Sequence, residues 1–268
     1  MSRAAGAGGT GRSRLSLHPT VRRPLAVVTA LVIGTALWQA ISSSSGGWVP
    51  SLGEVVSSAN AALHQHAFYA DALVTLRRVA IILAASTILG FLIGLVAGLS
   101  ERAESFVRPL LVTGLAIPDP VYIIMGILIL GVSRFSGMAA VIVAITPLVA
   151  NVVLSAVQGR DRGLDEMAFT YGFGWIDYLR QVLVWQITPA IVAAVRTAFA
   201  FSWKLVVLME ALTADQGIGA YIYRAFRLLR PADMIAYALI FIVVMRIIET
   251  VAFAPMARHA PRWAAAET

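Results

Sequence analysis

Six apolar stretches, separated by short polar or charged breaks, order the sequence from end to end. They run at about 24–41, 79–99, 110–132, 138–157, 182–212 and 234–255. A helix needs roughly 20 apolar residues to cross the hydrocarbon core of a bilayer. Each stretch is therefore predicted to be a spanning helix, which makes the protein all-α and polytopic. The fifth is too long for one straight crossing. It is expected to begin as an interfacial segment and to kink at Pro189, where a backbone donor is missing. In the second stretch Gly90, Gly94 and Gly98 share one stripe, a spacing of small residues that lets helix backbones approach closely. The third contains Pro118-Asp119-Pro120, where the helix must break. Broken backbone at membrane depth is tolerated only inside protein or along a water-filled cavity. Pro118, Asp119, Pro120 and Tyr122 are therefore candidates to line a translocation path.

The polar segments divide the rest. Residues 1–23 are rich in Gly, Ala, Ser and Arg and are expected to form a disordered cytoplasmic tail. The 24–41 stretch follows Arg22-Arg23, as a cleaved signal peptide would, but further spans downstream favour an uncleaved first helix. The 42–72 segment is expected to be an external connection. It holds His64 and His66, which at i, i+2 do not share a helix face and make a poor metal pair. Residues 257–268 are expected to form a second cytoplasmic tail.

Composition agrees with lipid as the solvent. The 268 residues are 59% hydrophobic and 13% charged, where soluble domains carry about a quarter charged residues. The absence of cysteine excludes disulfides and Cys-ligated metals. A net charge of +7 would suggest nucleic acid in a soluble protein, but here the basic residues flank apolar runs and set topology instead. Arg3, Arg12, Arg14, Arg22 and Arg23 share a side with the 101–108 and 158–181 connections and with Arg258 and Arg262. The positive-inside rule puts that side, and both termini, in the cytoplasm.

The 161–181 connection mixes charges with Phe169, Tyr171, Phe173, Trp175 and Tyr178, and Gly172 and Gly174 interrupt it. It reads as two short helical pieces lying along the membrane surface. Its aromatics suit either a docking surface for a soluble partner or an interfacial aromatic belt.

This stretch resembles the cytoplasmic coupling loop of bacterial binding-protein-dependent ABC importer permeases of the nitrate, sulfonate and taurine type. Glu166, Ala168 and Gly172 fall in register with the family's Glu-Ala-Ala…Gly pattern, and Pro189 matches a proline common further on. Met167 replaces the central Ala, and Val184-Trp185 replaces Leu-Pro. Thr75-Leu76-Arg77-Arg78-Val79 resembles the start of the family core. The stretches Arg108-Pro109-Leu110 and Ile117-Pro118-Asp119-Pro120-Val121-Tyr122 are similar to its proline-rich stretch. Glu210 with Gly217-Ile218-Gly219 looks like the pattern after its fifth span. The resemblance implies a five-helix type I core over 73–256. It also implies a second permease copy or paralogue, two ATPase subunits that bind ATP and Mg, and an external substrate-binding protein. On it, Asp165, Glu166, Ala168, Gly172 and Trp175 would couple the chain to the ATPase. No phosphate-binding Gly-x-x-x-x-Gly-Lys-Ser/Thr loop occurs in the chain, so the chain is expected to have no cofactor of its own.

Charges within spans are costly and tend to face a pathway or a partner. Lys204, the lone lysine, and Arg196 are eight apart, roughly on one helix face. Either they form a cationic stripe along an anion path, or Lys204 pairs with a carboxylate on another helix and Arg196 snorkels. Glu210 lies near the end of the same span and joins the candidate path residues. Arg246 and Glu249 can pair across one turn. Ser86, Asn151 and Ser155 are expected to bond between helices. Two other classes compete with the importer. A secondary transporter or channel would show an internal repeat with paired broken helices, and a membrane enzyme would cluster His, Asp or Glu within its spans.

Overall fold

The computed structural model describes residues 19–259, which form helices joined by short turns, with no strand among them. The order is α1 (Pro19–Ser44), α2 (Leu52–Leu63), α3 (His66–Leu99), α4 (Glu101–Ala116), α5 (Asp119–Leu130), α6 (Arg134–Gln158), α7 (Arg162–Thr170) and α8 (Trp175–Tyr178). A π-helical turn (Leu179–Leu183), α9 (Val184–Thr213), α10 (Ile218–Arg227) and α11 (Pro231–His259) complete it. Most of the expected N-terminal tail, and the C-terminal tail from residue 260, lie outside the described residues.

The chain divides into two compact units between Glu54 and Val55. In the first, the turn after α1 folds back on the helix end. Trp38 Nε1 donates to the Pro50 carbonyl and Ser42 Oγ to that of Val49, each at 3.0 Å. Ser51 and Glu54 form a reciprocal capping box at the start of α2, with bonds of 2.8 and 3.2 Å.

The second unit is a bundle organised on α3, α6 and α9. The glycine stripe sets its closest pair. A Cβ on Gly90 would come within 2.6 Å of Val149 Cβ, one on Gly94 within 2.5 Å of the Ala150 carbonyl, and one on Gly98 within 2.6 Å of Val157 Cβ. Residue numbers rise together along both helices, so α3 and α6 run parallel, backbone against backbone. On the other side of α6, Gly137 admits Met209 and Thr213 of α9, which brings the end of α9 to the start of α6. The core between them is apolar, with Ile82, Val141, Ile145, Val153, Val206 and Met209 all within 2% of full burial.

Four helical segments are long and apolar enough to cross a membrane: His66–Leu99, Arg134–Gln158, Trp175–Thr213 and Pro231–Phe253. There are five if α4 and α5 count as one bent span. The six expected spans thus resolve into these five and α1, whose apolar part, Val28–Ser44, is shorter. Three boundaries differ from expectation. The second span starts at His66, not 79, because the polar residues before Arg77 continue the same helix and shorten the external connection. The third starts at Glu101, not 110, and breaks where expected, as two helices meeting at 101°. The irregularity in the fifth is the π turn ahead of Pro189, and its helical run begins at Trp175.

Candidate functional site

The functional candidates gather at the two ends of the bundle and along α9 between them. At the hairpin end, α6 stops at Gln158 and the chain turns through Arg160 into α7. Asp161 caps α7 by accepting from Gly163 N–H at 2.8 Å. The helix ends in a Schellman motif: Phe173 N–H donates to the Ala168 carbonyl and Gly172 N–H to that of Phe169, both at 3.0 Å. Gly172 supplies the left-handed φ of 77° that this turn requires.

Beneath the turn sits a polar pin. Arg160 Nε donates to Asp165 Oδ2 at 2.7 Å, and Tyr178 Oη donates to Asp165 Oδ1 at 2.9 Å. Arg160 also reaches back to the Val157 carbonyl at 2.7 Å. The bonds tie α6, α7 and α8 together at one carboxylate. Burial opposes the Arg160 charge, but the bond to Asp165 and the nearby Tyr178 outweigh it, so its pKa lies above the ordinary arginine value.

The five residues expected to couple to an ATPase therefore separate by position. Asp165 and Ala168 lie beneath the hairpin, with 8% and 2% exposed, and hold its shape. Glu166 and Trp175 stand on its outer surface, and Gly172 forms its turn. Tyr178, read among the surface aromatics, is 2% exposed and packs under Phe169 and Trp175 at ring-centroid distances of 5.0 and 5.5 Å. What remains outside is an apolar patch of Met167, Phe169, Tyr171, Trp175 and Ile176. Arg160 escaped sequence reading, because nothing local distinguishes it from any other loop arginine.

At the opposite end, three distant fragments of the sequence converge. Glu210 on α9 is wholly buried. Its Oε1 accepts from Arg78 Nη1 at 2.6 Å, and its Oε2 accepts from Thr75 Oγ1 at 2.9 Å and from Gly219 N–H at 3.0 Å. Ile218 N–H donates to Thr75 Oγ1, Gly217 N–H to Asp71 Oδ1, and Arg78 to the Gln216 carbonyl. The two glycines are steric requirements. A Cβ on Gly217, at φ 114°, would strike the Glu210 carboxylate, and one on Gly219 would strike the Val207 carbonyl. Glu210, expected on the path, is thus enclosed among α3, α9 and α10, where it fixes the start of α10.

Between the ends, the α4–α5 bend borders a cavity of about 310 Å³ lined by Gly114, Pro118, Asp119, Phe201 and Leu205 among others. Tyr122 Oη donates across the bend to the Gly114 carbonyl at 2.8 Å, and Pro120 is exposed outside the lining. Arg196 and Lys204 both lie on an exposed face of α9. Arg196 contacts Glu249 of α11 at 3.3 Å, and Arg246 pairs with the same carboxylate at 2.6 Å, the expected one-turn pair. Lys204 has no carboxylate within 4 Å among the described residues. Its Nζ lies 5.7 Å from the Trp203 ring and 5.8 Å from that of Phe201. Ser86 bonds within its own helix, to the Ile82 carbonyl at 2.8 Å, instead of across to a neighbour.

A bent apolar helix, a parallel pair joined through glycines and a hairpin at one end of the bundle define a polytopic helical fold, and solved structures share the architecture. A chain of a bacterial alginate ABC transporter, solved with an alginate-bound periplasmic protein, aligns at a TM-score of 0.66. It covers 90% of this chain and 92% of that one at 15% identity. A chain of the MetNI methionine ABC transporter aligns at 0.61, covering 74% and 100% at 16% identity. The model of the binding-protein-dependent transport system inner membrane component family matches residues 86–265, and the chain belongs to that family. It is 27% identical over 229 residues to the nitrate import permease protein NrtB of Synechococcus elongatus, across 80% of this chain and 81% of the relative. Over 163 residues it is 26% identical to SsuC, the candidate aliphatic sulfonates transport permease protein of Bacillus subtilis, across 60% and 59%. It is a multi-pass membrane permease of an ABC importer, and its family role is transport.

Proposed function

We propose that this chain lines the path for a small anion and is driven by a separate ATPase that presses on the 161–181 hairpin. The observation that carries the coupling half is the hairpin itself: an exposed aromatic and aliphatic patch mounted on a bonded carboxylate. Apolar surface fixed in shape and left uncovered marks a protein contact. ATP and Mg belong to that partner. A second copy or a paralogue completes the path, an external binding protein delivers the solute, and both termini face the cytoplasm. Force on the hairpin passes directly into α6 and α9, the helices it joins.

The α9 face supports the anionic half. An unpaired cation on a lipid-facing helix surface is costly, so the α9 face that bears Lys204, one side of the Arg196–Glu249 pair, belongs against water or protein. Low-dielectric walls strengthen the pull of such charges on an anion. The relatives' names, for nitrate and aliphatic sulfonates, agree in charge. The test is uptake by cells expressing the assembled importer with Lys204→Met. Anion uptake is expected to fall by at least about tenfold while the ATPase still co-purifies. Undiminished uptake at equal membrane abundance would reject the anion path.

A further inference from the structure

The end of the bundle away from the hairpin carries a second cationic feature, separate from the α9 face. A cavity of about 520 Å³ opens there between the α5–α6 turn, the end of α9 and α10. Arg134 reaches it from the first residue of α6, and Arg224 and Arg227 reach it from adjacent turns of α10. Asp215 is the sole acidic residue of the lining. Among the described residues none of the three arginines has a carboxylate within 4 Å.

Three guanidinium groups around one cavity, outnumbering the acid, leave an unbalanced positive charge. Arg224 and Arg227 sit three apart on one helix, where like charges repel in the absence of a counterion. Arg224 lies 5.8 Å from the Tyr221 ring, which supports the planar guanidinium from behind. The start of α6 adds the partial positive charge of a helix N-terminus. The rest of the lining mixes the apolar Val132, Leu212 and Ala220 with the hydroxyl-bearing Ser133 and Thr213. A planar fork of donors suits an oxyanion, and the apolar part of the lining suits a short carbon chain attached to one.

We infer that this cavity is an oxyanion site at the outer mouth of the permease, where a sulfonate-like solute binds before it enters the path. Its placement at the outer mouth rests on the sidedness of the proposed function; the binding itself does not. A lipid phosphate shares the anion chemistry, and the test separates the two sources. Full-length protein in nanodiscs of zwitterionic lipid is titrated with ethanesulfonate, with ethanol as the uncharged control, and followed by saturation-transfer NMR. Saturable binding of ethanesulfonate alone is expected. Arg224→Gln with Arg227→Gln should weaken it by at least about tenfold, and Arg134→Lys should retain most of it. Arg102→Gln, the loss of one charge on α4 outside the cavity, should leave it unchanged. Absent or non-saturable binding, or equal weakening by Arg102→Gln, overturns the site. So does loss of binding in nanodiscs containing phosphatidylglycerol, which would assign the cavity to lipid headgroups. The titration needs neither ATPase nor uptake. The site can therefore fail while the importer reading stands, and the importer reading can fail while the site binds.

Discussion

The two ends of the bundle are both built around a buried carboxylate, yet they are finished differently. Glu210 has no exposed surface, each of its oxygens is bonded, and everything around it belongs to the same chain. Asp165 is bonded nearly as well, by Arg160 and Tyr178, but the layer over it is Phe169, Trp175, Tyr171 and Ile176 facing out. The first arrangement is complete in itself. The second is a firm base under an uncovered apolar cap, which is what a surface needs to transmit a push instead of absorbing it. Position along the chain does not distinguish them; what each carboxylate supports does.

The comparison is broken most sharply at Glu210. Glu210→Ala leaves the Arg78 guanidinium buried without its partner, which costs about 3–5 kcal/mol. Thermal unfolding in detergent should show that loss. Replacing both members, Glu210→Met with Arg78→Leu, should recover part of it, since the lone buried charge is the main penalty. If Glu210→Ala unfolds like the parent protein, the Glu210 cluster is not the brace described here.

Asp165→Asn should do less, about 1–3 kcal/mol, because the amide still accepts from Tyr178 while the ion pair with Arg160 is lost. The loss should be local. Limited proteolysis is expected to cut between α7 and α8 before the bundle melts, and a uniform drop in melting temperature would contradict that. Tyr171→Ala is the mildest. Tyr171 is 77% exposed, so stability should move by no more than about 0.5 kcal/mol. Affinity for the ATPase should fall by about 1–2 kcal/mol, read as weaker co-purification. A Tyr171→Ala protein that melts early yet captures the ATPase normally would reverse the role assigned to the hairpin surface.

Much of this was legible in the sequence, unevenly and for physical reasons. Hydropathy marks where lipid touches a helix, so span centres were plain. It does not mark where the helix starts, and α3 begins well before its apolar run because Asp71, Thr75 and Arg78 serve the cluster around Glu210. Pro118-Asp119-Pro120 announced a break, since proline removes a donor, but the 101° between the two helices is set by what packs on them. The motif fragments around Thr75, Glu210 and Gly217 were visible one by one. Their meeting was not, because Arg78 and Glu210 are 132 residues apart and nothing local in either fragment names the other. Asp165 and Tyr178 were read as surface for a similar reason: 13 residues and a helix break separate them, and only the Schellman turn at Gly172 folds one onto the other. Gly90, Gly94 and Gly98 were read fully, because their spacing is itself the geometry.

The native chain has no cysteine, so a single one placed on the hairpin reports unambiguously. Glu166→Cys, in cells producing the assembled importer, is the most direct test of the claim that the hairpin receives force from a cytoplasmic ATPase. The expected result is a cross-link from residue 166 to the ATPase subunit, altered in yield by nucleotide, with no labelling by a membrane-impermeant thiol reagent added outside intact spheroplasts. Labelling from outside, or a cysteine that never joins the ATPase under any nucleotide condition, would contradict it.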